Sequence, residues 1–336
     1  MHPAFSHILG QQPAIEFLSR ALAADRLPHG LIFAGPVGVG RHTAASALAK
    51  VFLTDKPDDA AALARTAPLI DARTHPDFHH VTKEQVRELE GKSANKAIQF
   101  SVDVVRERIL VPASKKSALG IGKVFIVEEA EAMNAQAQNA LLKTLEEPSG
   151  RTLIVLLSDQ PHALLSTIRS RAQTVRFCPL GPADALAVLA KNGIEGNLAR
   201  EAITVAGGSP GLAIQWHHDG VILAAAQLKR LLDSSDGPNS AADLAAFLKA
   251  ASDAYAKRQL ERDPAGSEDG FRRAGIGVFL RIASDHLRLR LAADVSPRVI
   301  DRTCDQIDAV RRAETYVDGN VNVALVLQQI GSELVA

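Results

Sequence analysis

The nine residues from Gly35 to Thr43, GPVGVGRHT, constrain the fold of this chain more than any other segment. An apolar run at Gly30–Ala34 precedes them, and a helical pattern at Arg41–Phe52 overlaps their end. A glycine loop between a strand and a helix is typical of phosphate-binding loops, where backbone N–H groups and the helix N-terminus contact phosphate oxygens. The segment therefore predicts an α/β domain in which a buried strand leads into this loop.

The loop keeps its glycines but lacks two side chains on which phosphate and metal binding depend. The glycines are Gly35, Gly38 and Gly40. In the consensus G-x-x-x-x-G-K-[ST] the lysine contacts phosphate and the hydroxyl binds Mg²⁺, whereas Arg41 and His42 stand at those positions here. Thr43 has a hydroxyl, but its place one residue later turns it by about 100° around the helix. The loop is therefore either a vestigial turn or a site that binds ATP or ADP with Mg²⁺ weakly.

Two adjacent acids, Glu128 and Glu129, follow the apolar run Lys123–Val127, about ninety residues after the loop. In phosphoryl-transfer proteins the first acid at such a place holds Mg²⁺, and the second activates the attacking water. Glu128 is one methylene longer than the usual aspartate, so we expect its carboxylate to be displaced from the metal position. The alternative is a pair of exposed acids that cap the next helix.

Further apolar runs predict the remaining strands of a sheet. They are His79–Thr82, Thr152–Leu157 and Thr174–Phe177. Helical patterns lie between the runs, at Ala14–Ala24, at Val102–Val111 where Pro112 is expected to end the helix, and from an N-cap at Asn134 to Glu146. Between Thr54 and His75 we expect a polar, alanine-rich connection. Apolar strands that alternate with helices favour a parallel sheet covered on both faces.

The character of the sequence changes after Pro179, where strand patterns largely end and alanine- and leucine-rich helical segments begin. A polar run at 233–240, DSSDGPNS, indicates a linker. We therefore predict three domains: an α/β domain at 1–178, a small helical domain at 179–236 and a helical domain at 237–336.

Bulk properties narrow the class of protein. Lys and Arg together number 38, as do Asp and Glu, so no net charge directs the chain towards nucleic acid or an acidic membrane. The two cysteines cannot form a disulfide framework or a four-thiolate zinc site. The N-terminus lacks a signal-peptide pattern, and no apolar run approaches the ~18–20 residues that span a bilayer. We expect a soluble, cytoplasmic protein.

Several motifs share an order that is found in one known family. They are HILGQQPAIEFLSRAL near the start, HPDFHHV at 75–81, NALLKTLEEP at 139–148, LLSTIRSRAQ at 164–173 and NVNVALVLQQI at 320–330. In this order the chain resembles the AAA+ clamp-loader family of bacterial DNA polymerase III. The resemblance covers the first 178 residues densely and the remainder loosely. It implies an AAA+ P-loop domain with a parallel sheet, a small helical lid domain and an all-α C-terminal collar domain.

The resemblance also implies roles for two further residues. Ser158 falls at the sensor-1 position, which reads the γ-phosphate in active members. Arg171 falls where the family places an arginine finger, which acts in trans on the nucleotide of a neighbouring subunit and is worth about 10³–10⁵ in rate. The alternative for Arg171 is a surface ion pair at a helix end.

The departures from the family bear equally on function. Active members carry a sensor-2 arginine in the lid, but the corresponding stretch at 207–214, GGSPGLAI, has no Arg or Lys. The loop lysine, the loop hydroxyl and sensor 2 are therefore all absent, and we expect no ATP hydrolysis by this chain. Residues 53–75 contain no cysteine, so the family's zinc module is not expected. His75, His79 and His80 are predicted to be solvated or strand-face histidines, with no metal site.

The resemblance as a whole implies a non-hydrolysing stator in DNA replication, within the polymerase III holoenzyme. Its implied partners are the ATP-hydrolysing motor subunits and the clamp-opening subunit of a hetero-pentamer, the sliding clamp, and primer–template DNA through the complex. No membrane partner is implied. Two other functions remain open: an autonomous AAA+ ATPase, either a motor-type subunit or a branch-migration helicase, and a free-standing binding protein.

Overall fold

A computed structural model describes residues 2–57, 59–83, 85, 99–233, 240–264, 266–293, 296–319 and 321–335. The described chain divides into two compact units, the first ending at Leu212 and the second beginning at Ala213. Most of the predicted linker at 233–240 and the predicted domain boundary at 236 lie outside the described residues. The division into three domains stays a prediction.

The first unit is built on a five-stranded sheet in the order β2-β3-β4-β1-β5, in which every neighbouring pair is parallel. The strands are β1 Gly30–Ala34, β2 Phe78–Val81, β3 Lys123–Val127, β4 Thr152–Ser158 and β5 Gln173–Arg176. Every residue of β1, β3 and β4 is buried. Central strands covered on both faces need apolar residues throughout, which explains their unbroken apolar runs. The predicted parallel α/β sheet is confirmed.

Helices connect and cover these strands. Those of the first unit are α1 Gln12–Ala23, α2 Arg41–Phe52, α3 Ala60–Asp71, α4 Val102–Val105, α5 Val111–Ser114, α6 Ala135–Glu146, α7 Ser166–Arg169, α8 Pro182–Ala190 and α9 Gly196–Val205. Helix α10, Pro210–His218, contains the boundary between the units. Asn134 caps α6 as predicted, because its side chain accepts a hydrogen bond from the Ala137 N–H at 2.8 Å.

One prediction about a helix was wrong, and one helix was not predicted. The connection between Thr54 and His75 contains the unpredicted helix α3, which the Asp59 side chain caps by accepting from the Ala61 N–H at 2.9 Å. Its alanines have high helix propensity, and the cap outweighs the polar flanks. Pro112 does not end its helix, because a π-helical turn at Arg106–Leu110 comes directly before α5. The wider turn accommodates a residue that has no N–H to donate.

The second unit is helical throughout its described part, as the sequence predicted. Its further helices are α11 Val221–Asp233, α12 Ser240–Arg262, α13 Glu268–Ala293, α14 Pro297–Asp318 and α15 Val323–Val335. Helix α12 packs against α13 and α15, and α13 packs against α14. Gly331 permits close packing on α12, because a Cβ there would lie 2.5 Å from the carbonyl oxygen of Ala241. Within the described chain, no helix has the length and apolar character that crossing a membrane requires.

Two buried charged residues fix the segment before β3. The Asp77 carboxylate accepts from the N–H groups of Ala118 at 2.7 Å and Leu119 at 2.9 Å. The Lys123 ammonium donates to the carbonyl oxygens of Ala113 and Lys115. Burial lowers the pKa of Lys123, and Asp77 opposes that change. Since both side chains are buried and used internally, their role is structural.

We expect Asp77→Ala to destabilise the first unit by about 2–4 kcal/mol, because the N–H groups of Ala118 and Leu119 lose a buried, charged acceptor. The control is Asp103→Ala, since the Asp103 side chain is 82% exposed and pairs with Arg106 at the surface. Its cost should stay below about 1 kcal/mol. Urea unfolding followed by far-ultraviolet circular dichroism compares the two, and equal losses would contradict the structural role of Asp77.

Candidate functional site

The parallel sheet brings most of the predicted site residues to one edge. The glycine loop follows β1, Glu128 and Glu129 follow β3, and Ser158 ends β4. The register places Ala34 opposite Ser158, and the Gly35 N–H donates to the Ser158 carbonyl oxygen at 3.1 Å. The carboxyl ends of these three neighbouring strands therefore form one site, as expected for ligand sites in open parallel sheets.

The loop backbone has the form that a strand-to-helix turn requires. Gly35 packs so closely on Phe177 that a Cβ would lie 2.1 Å from the Phe177 carbonyl oxygen. Gly38 has a φ of 78° and Gly40 a φ of 102°. Gly40 is the N-cap of α2, and no side chain caps this helix end. The positive end of the helix dipole therefore remains directed at the loop.

The loop apex, Val37 and Gly38, is held by the segment that leads into α10. The Ser209 hydroxyl donates to the Val37 carbonyl oxygen at 2.6 Å, and the Gly211 N–H donates to the Gly38 carbonyl oxygen at 2.9 Å. A Cβ on Gly211 would lie 2.8 Å from the Gly38 Cα. The stretch at 207–214, where active members of the family carry sensor 2, thus contacts the loop backbone directly. At Gly211 there is no space for a side chain between them.

Arg41, which replaces the consensus lysine, lies among acids. Burial lowers the pKa of its guanidinium, and the carboxylates of Asp159 and Glu131, then those of Glu128 and Glu129, oppose that change. Its Nη1 is buried and has no hydrogen-bond partner among the described residues. The protein's own carboxylates therefore act on the charge that a phosphate would otherwise meet.

Glu131 is a site residue that the sequence motifs did not indicate. Burial raises the pKa of its carboxyl group, and a hydrogen bond to Asp159 adds to that rise, whereas a hydrogen bond to Ser158 opposes it. Ser158 is fully buried, and its hydroxyl also accepts from the Gln160 N–H at 3.2 Å. The predicted sensor-1 residue therefore bonds to the protein itself.

Glu128 and His42 lie beside His80 of β2. The Nε2 of His80 lies 2.8 Å from Oε1 of Glu128, and the Nε2 of His42 lies 3.7 Å from the same oxygen. The two imidazole rings are 5.1 Å apart, centroid to centroid. Burial lowers the pKa of His42. Burial alone would raise the pKa of Glu128, but the hydrogen bond from His80 keeps it below its ordinary value.

Two other predicted residues stand apart from this cluster. Glu129 has a left-handed backbone, with a φ of 47°, and its carboxylate pairs with Lys83. Thr43 is exposed in the first turn of α2. Of the remaining histidines, the Nδ1 of His75 accepts from the Asp77 N–H at 3.1 Å, and the ring of His79 stacks on Phe125 at 4.6 Å. His75 and His79 thus have structural contacts, and only His80 joins the site.

Arg171 lies at the opposite edge of the sheet. It comes just before β5, whose first residue pairs with Leu31. A Cβ on Gly30, the first residue of β1, would lie 3.4 Å from the Arg171 carbonyl oxygen. The glycine loop begins five residues later along β1, a distance of about 16 Å at the usual rise of a strand.

The Arg171 side chain is oriented by its own subunit and partly exposed. Its Nε donates to the Glu146 carboxylate, and its Nη1 donates to the Thr167 carbonyl oxygen at 3.1 Å and to the Ser170 hydroxyl at 3.4 Å. The side chain is 35% exposed. Within the described residues these bonds do not use Nη2. The ion pair considered as the alternative role is present, and it leaves one end of the guanidinium without such a bond.

Comparisons with known proteins agree on one group. A protein-family model described as "DNA polymerase III, delta subunit" matches residues 10–181, just over half of the chain. DNA polymerase III subunit delta' of Pseudomonas aeruginosa is 38% identical over 198 residues, which are 57% of either chain. The Bacillus subtilis protein of the same name is 35% identical over 173 residues, which are 51% of this chain and 49% of that one.

The chain thus spans about half the length of the curated relatives that it matches. Among solved structures, a DNA polymerase III gamma subunit-related protein from Thermotoga maritima superposes with a TM-score of 0.48 at 18% identity. That alignment covers 94% of this chain and 97% of the other.

We expect Gly38→Ala to destabilise the first unit more than Gly40→Ala, although both glycines have positive φ. A Cβ on Gly38 would lie 2.5 Å from both the Ser209 hydroxyl and the Leu212 nitrogen, whereas one on Gly40 meets nothing within 4 Å. Each substitution costs about 1–2 kcal/mol in backbone strain, and Gly38→Ala adds about 1–3 kcal/mol from overpacking. Equal changes in the free energy of unfolding would contradict the close contact at the loop apex.

Proposed function

Because this chain belongs to the delta-prime family of DNA polymerase III clamp-loader subunits, we propose that it acts as a stator, a subunit that hydrolyses no ATP of its own. In a ring-shaped hetero-pentamer its Arg171 would contact the ATP bound by a neighbouring motor subunit. ATP binding there would fix the ring around an opened sliding clamp, and primer–template DNA would trigger hydrolysis and release.

The observation that carries this proposal is the placement of Arg171 relative to the chain's own glycine loop. The two lie at opposite edges of a parallel sheet, about 16 Å apart along β1. An arginine side chain cannot reach across that distance to phosphates held at its own loop. A guanidinium at this edge can act on a triphosphate only if another subunit brings it there, which is the requirement for a finger in trans.

Glu146 supports this role as a positioning residue. Its carboxylate holds the Nε of Arg171, while the Thr167 carbonyl holds Nη1. A guanidinium fixed through one side loses less conformational entropy when it meets a phosphate through the other. The predicted surface ion pair and the predicted finger are therefore compatible in the same residue.

The residues at the carboxyl ends of β1, β3 and β4, called the loop edge below, support the absence of ATP hydrolysis by this chain. The carboxylates of four acids act electrostatically on Arg41, and Mg²⁺ would meet an imidazole at His42 instead of a hydroxyl oxygen. The loop apex is occupied by backbone contacts from Ser209 and Gly211. A triphosphate would thus face like charge without the lysine that normally compensates it.

The proposed partners of this chain follow from its membership in the clamp-loader family. The helical second unit would join the collar with the motor subunits and the clamp-opening subunit. DNA would be reached through the complex, since the chain has no net positive charge of its own. The complex would work in the cytoplasm with the polymerase III holoenzyme.

We expect Arg171→Ala to lower DNA-stimulated ATP hydrolysis at the adjacent motor site by about 10³–10⁵-fold. The measurement is single-turnover ATPase of the reconstituted complex, in which one kinetic phase should disappear while the other sites continue. Glu146→Gln should slow the same phase to a smaller extent, because it loosens the guanidinium without removing it. Assembly of the complex, followed by gel filtration, should be unchanged in both variants.

The matched control is Arg41→Ala, which removes a guanidinium from the other edge of the sheet and should leave that phase intact. If Arg41→Ala abolishes hydrolysis while Arg171→Ala has no effect, the two arginines have the opposite roles and the proposal is wrong.

The isolated chain should neither bind Mg²⁺–ATP measurably nor hydrolyse it. Restoring the consensus with Arg41→Lys and His42→Thr together should still give no binding in a calorimetric titration, because the acids and the contacts at the loop apex remain. Binding by the double variant would assign the defect to those two side chains alone. Turnover by the wild-type chain would instead favour an autonomous ATPase, either a motor-type subunit or a branch-migration helicase.

A further inference from the structure

We infer that His42, His80 and Glu128 form a binding site for a divalent transition-metal ion of the Zn²⁺ class. Each of these residues offers one ligand atom, and the three atoms lie within 4.8 Å of one another. They come from three different elements: the first turn of α2, strand β2 and the end of β3. The inference concerns the loop edge of the sheet and does not depend on the role of Arg171.

The distances between the ligand atoms suit a small tetrahedral ion. Bonds of about 2.0–2.1 Å at tetrahedral angles place neighbouring ligand atoms about 3.3 Å apart. The observed separations from Oε1 of Glu128 are 2.8 Å to His80 and 3.7 Å to His42, which lie on either side of that value. The third separation, between the ligand nitrogens of His42 and His80, is at most 4.8 Å. Shifts of up to about 1.5 Å between these two side chains would bring the three atoms into one Zn²⁺ coordination sphere. A fourth position would remain for water or another oxygen ligand.

The chemistry of the ligands selects the class of ion. In the consensus loop the position of His42 carries the hydroxyl that holds Mg²⁺, and the acid after β3 holds the same ion. Here one of those oxygen ligands is replaced by imidazole, and His80 adds a second imidazole. Mg²⁺ demands oxygen ligands in near-octahedral geometry, whereas two imidazoles with one carboxylate suit Zn²⁺. The residues that lost the magnesium chemistry thus provide a different ligand set.

The surroundings of the cluster fit a bound ion that can enter from solvent. The His80 side chain is only 2% exposed, so its Nε2 faces the cluster from the buried side. His42 and Glu128 are 46% and 36% exposed, so the cluster is open on their side. A bound ion would link α2 to the sheet behind the glycine loop.

A site at His42, His80 and Glu128 would differ from the sequence prediction that His75, His79 and His80 form no metal site. His75, His79 and His80 are close in sequence, but the side chains of His75 and His79 have structural contacts. The partners of His80 are instead 38 residues before it and 48 residues after it, in motifs that were read as degenerate nucleotide-binding elements.

The test is a Co²⁺ titration of the full chain, followed by visible absorption and by competition with Zn²⁺ and Mg²⁺. It uses the Cys178→Ser/Cys304→Ser background, because both thiols are exposed and could bind these ions themselves. We expect one equivalent of Co²⁺ with absorption typical of nitrogen and oxygen ligands, displaced by Zn²⁺ but not by millimolar Mg²⁺. Zn²⁺ should also raise the thermal midpoint of unfolding, because it binds the folded state.

Two variants test the ligands. His42→Ala changes a half-exposed side chain, and Glu128→Gln keeps the size of the residue while removing its charge. Each should weaken Co²⁺ and Zn²⁺ binding by at least about 100-fold, more than the loss of an outer-shell partner costs, and abolish the thermal shift. The control His162→Ala alters an exposed histidine outside the cluster and should bind as the parent does.

The inference is overturned if the parent chain binds neither ion below millimolar concentration. It is equally overturned if both variants retain the parent's affinity while circular dichroism shows them folded, since the ion would then be held elsewhere.

Discussion

The shared direction of the five strands is the constraint on which the rest of this structure depends. Because β1 runs parallel to both β4 and β5, the glycine loop, the acids after β3 and Ser158 meet at one edge. The same direction places Arg171 at the other edge, beside the start of β1. One chain therefore has Arg171 at one end of its strands and the glycine loop at the other, about 16 Å apart along β1.

That separation explains how the loop edge can lose its consensus chemistry while the fold persists. The turn from β1 to α2 needs glycine at positions of positive φ and at close backbone contacts, and those glycines are kept. It does not need the lysine or the hydroxyl, which serve only a ligand. Contacts from Ser209 and Gly211 stabilise the loop apex, so the turn is supported by protein atoms.

The sequence predicted the features that depend on neighbouring residues, namely buried strands and a helix cap. The apolar runs at Gly30–Ala34 and Lys123–Val127 are buried strands with the predicted bounds, and Asn134 caps its helix. It missed α3, where the cap at Asp59 outweighed a polar neighbourhood, and the π-helical turn that precedes Pro112. In both cases a local feature decides the structure, but that feature leaves only a weak pattern in the sequence.

Long-range contacts of the site were beyond sequence reasoning for a different reason. The bond from Ser209 to Val37 joins residues 172 positions apart, and no periodicity records such a pairing. The sequence predicts a displaced magnesium ligand at Glu128, which is one methylene longer than aspartate. In the fold its carboxylate lies 2.8 Å from His80. A substitution that weakens one kind of metal chemistry thus creates the geometry for another, and only the fold, by placing β2 beside β3, determines which partner that carboxylate meets.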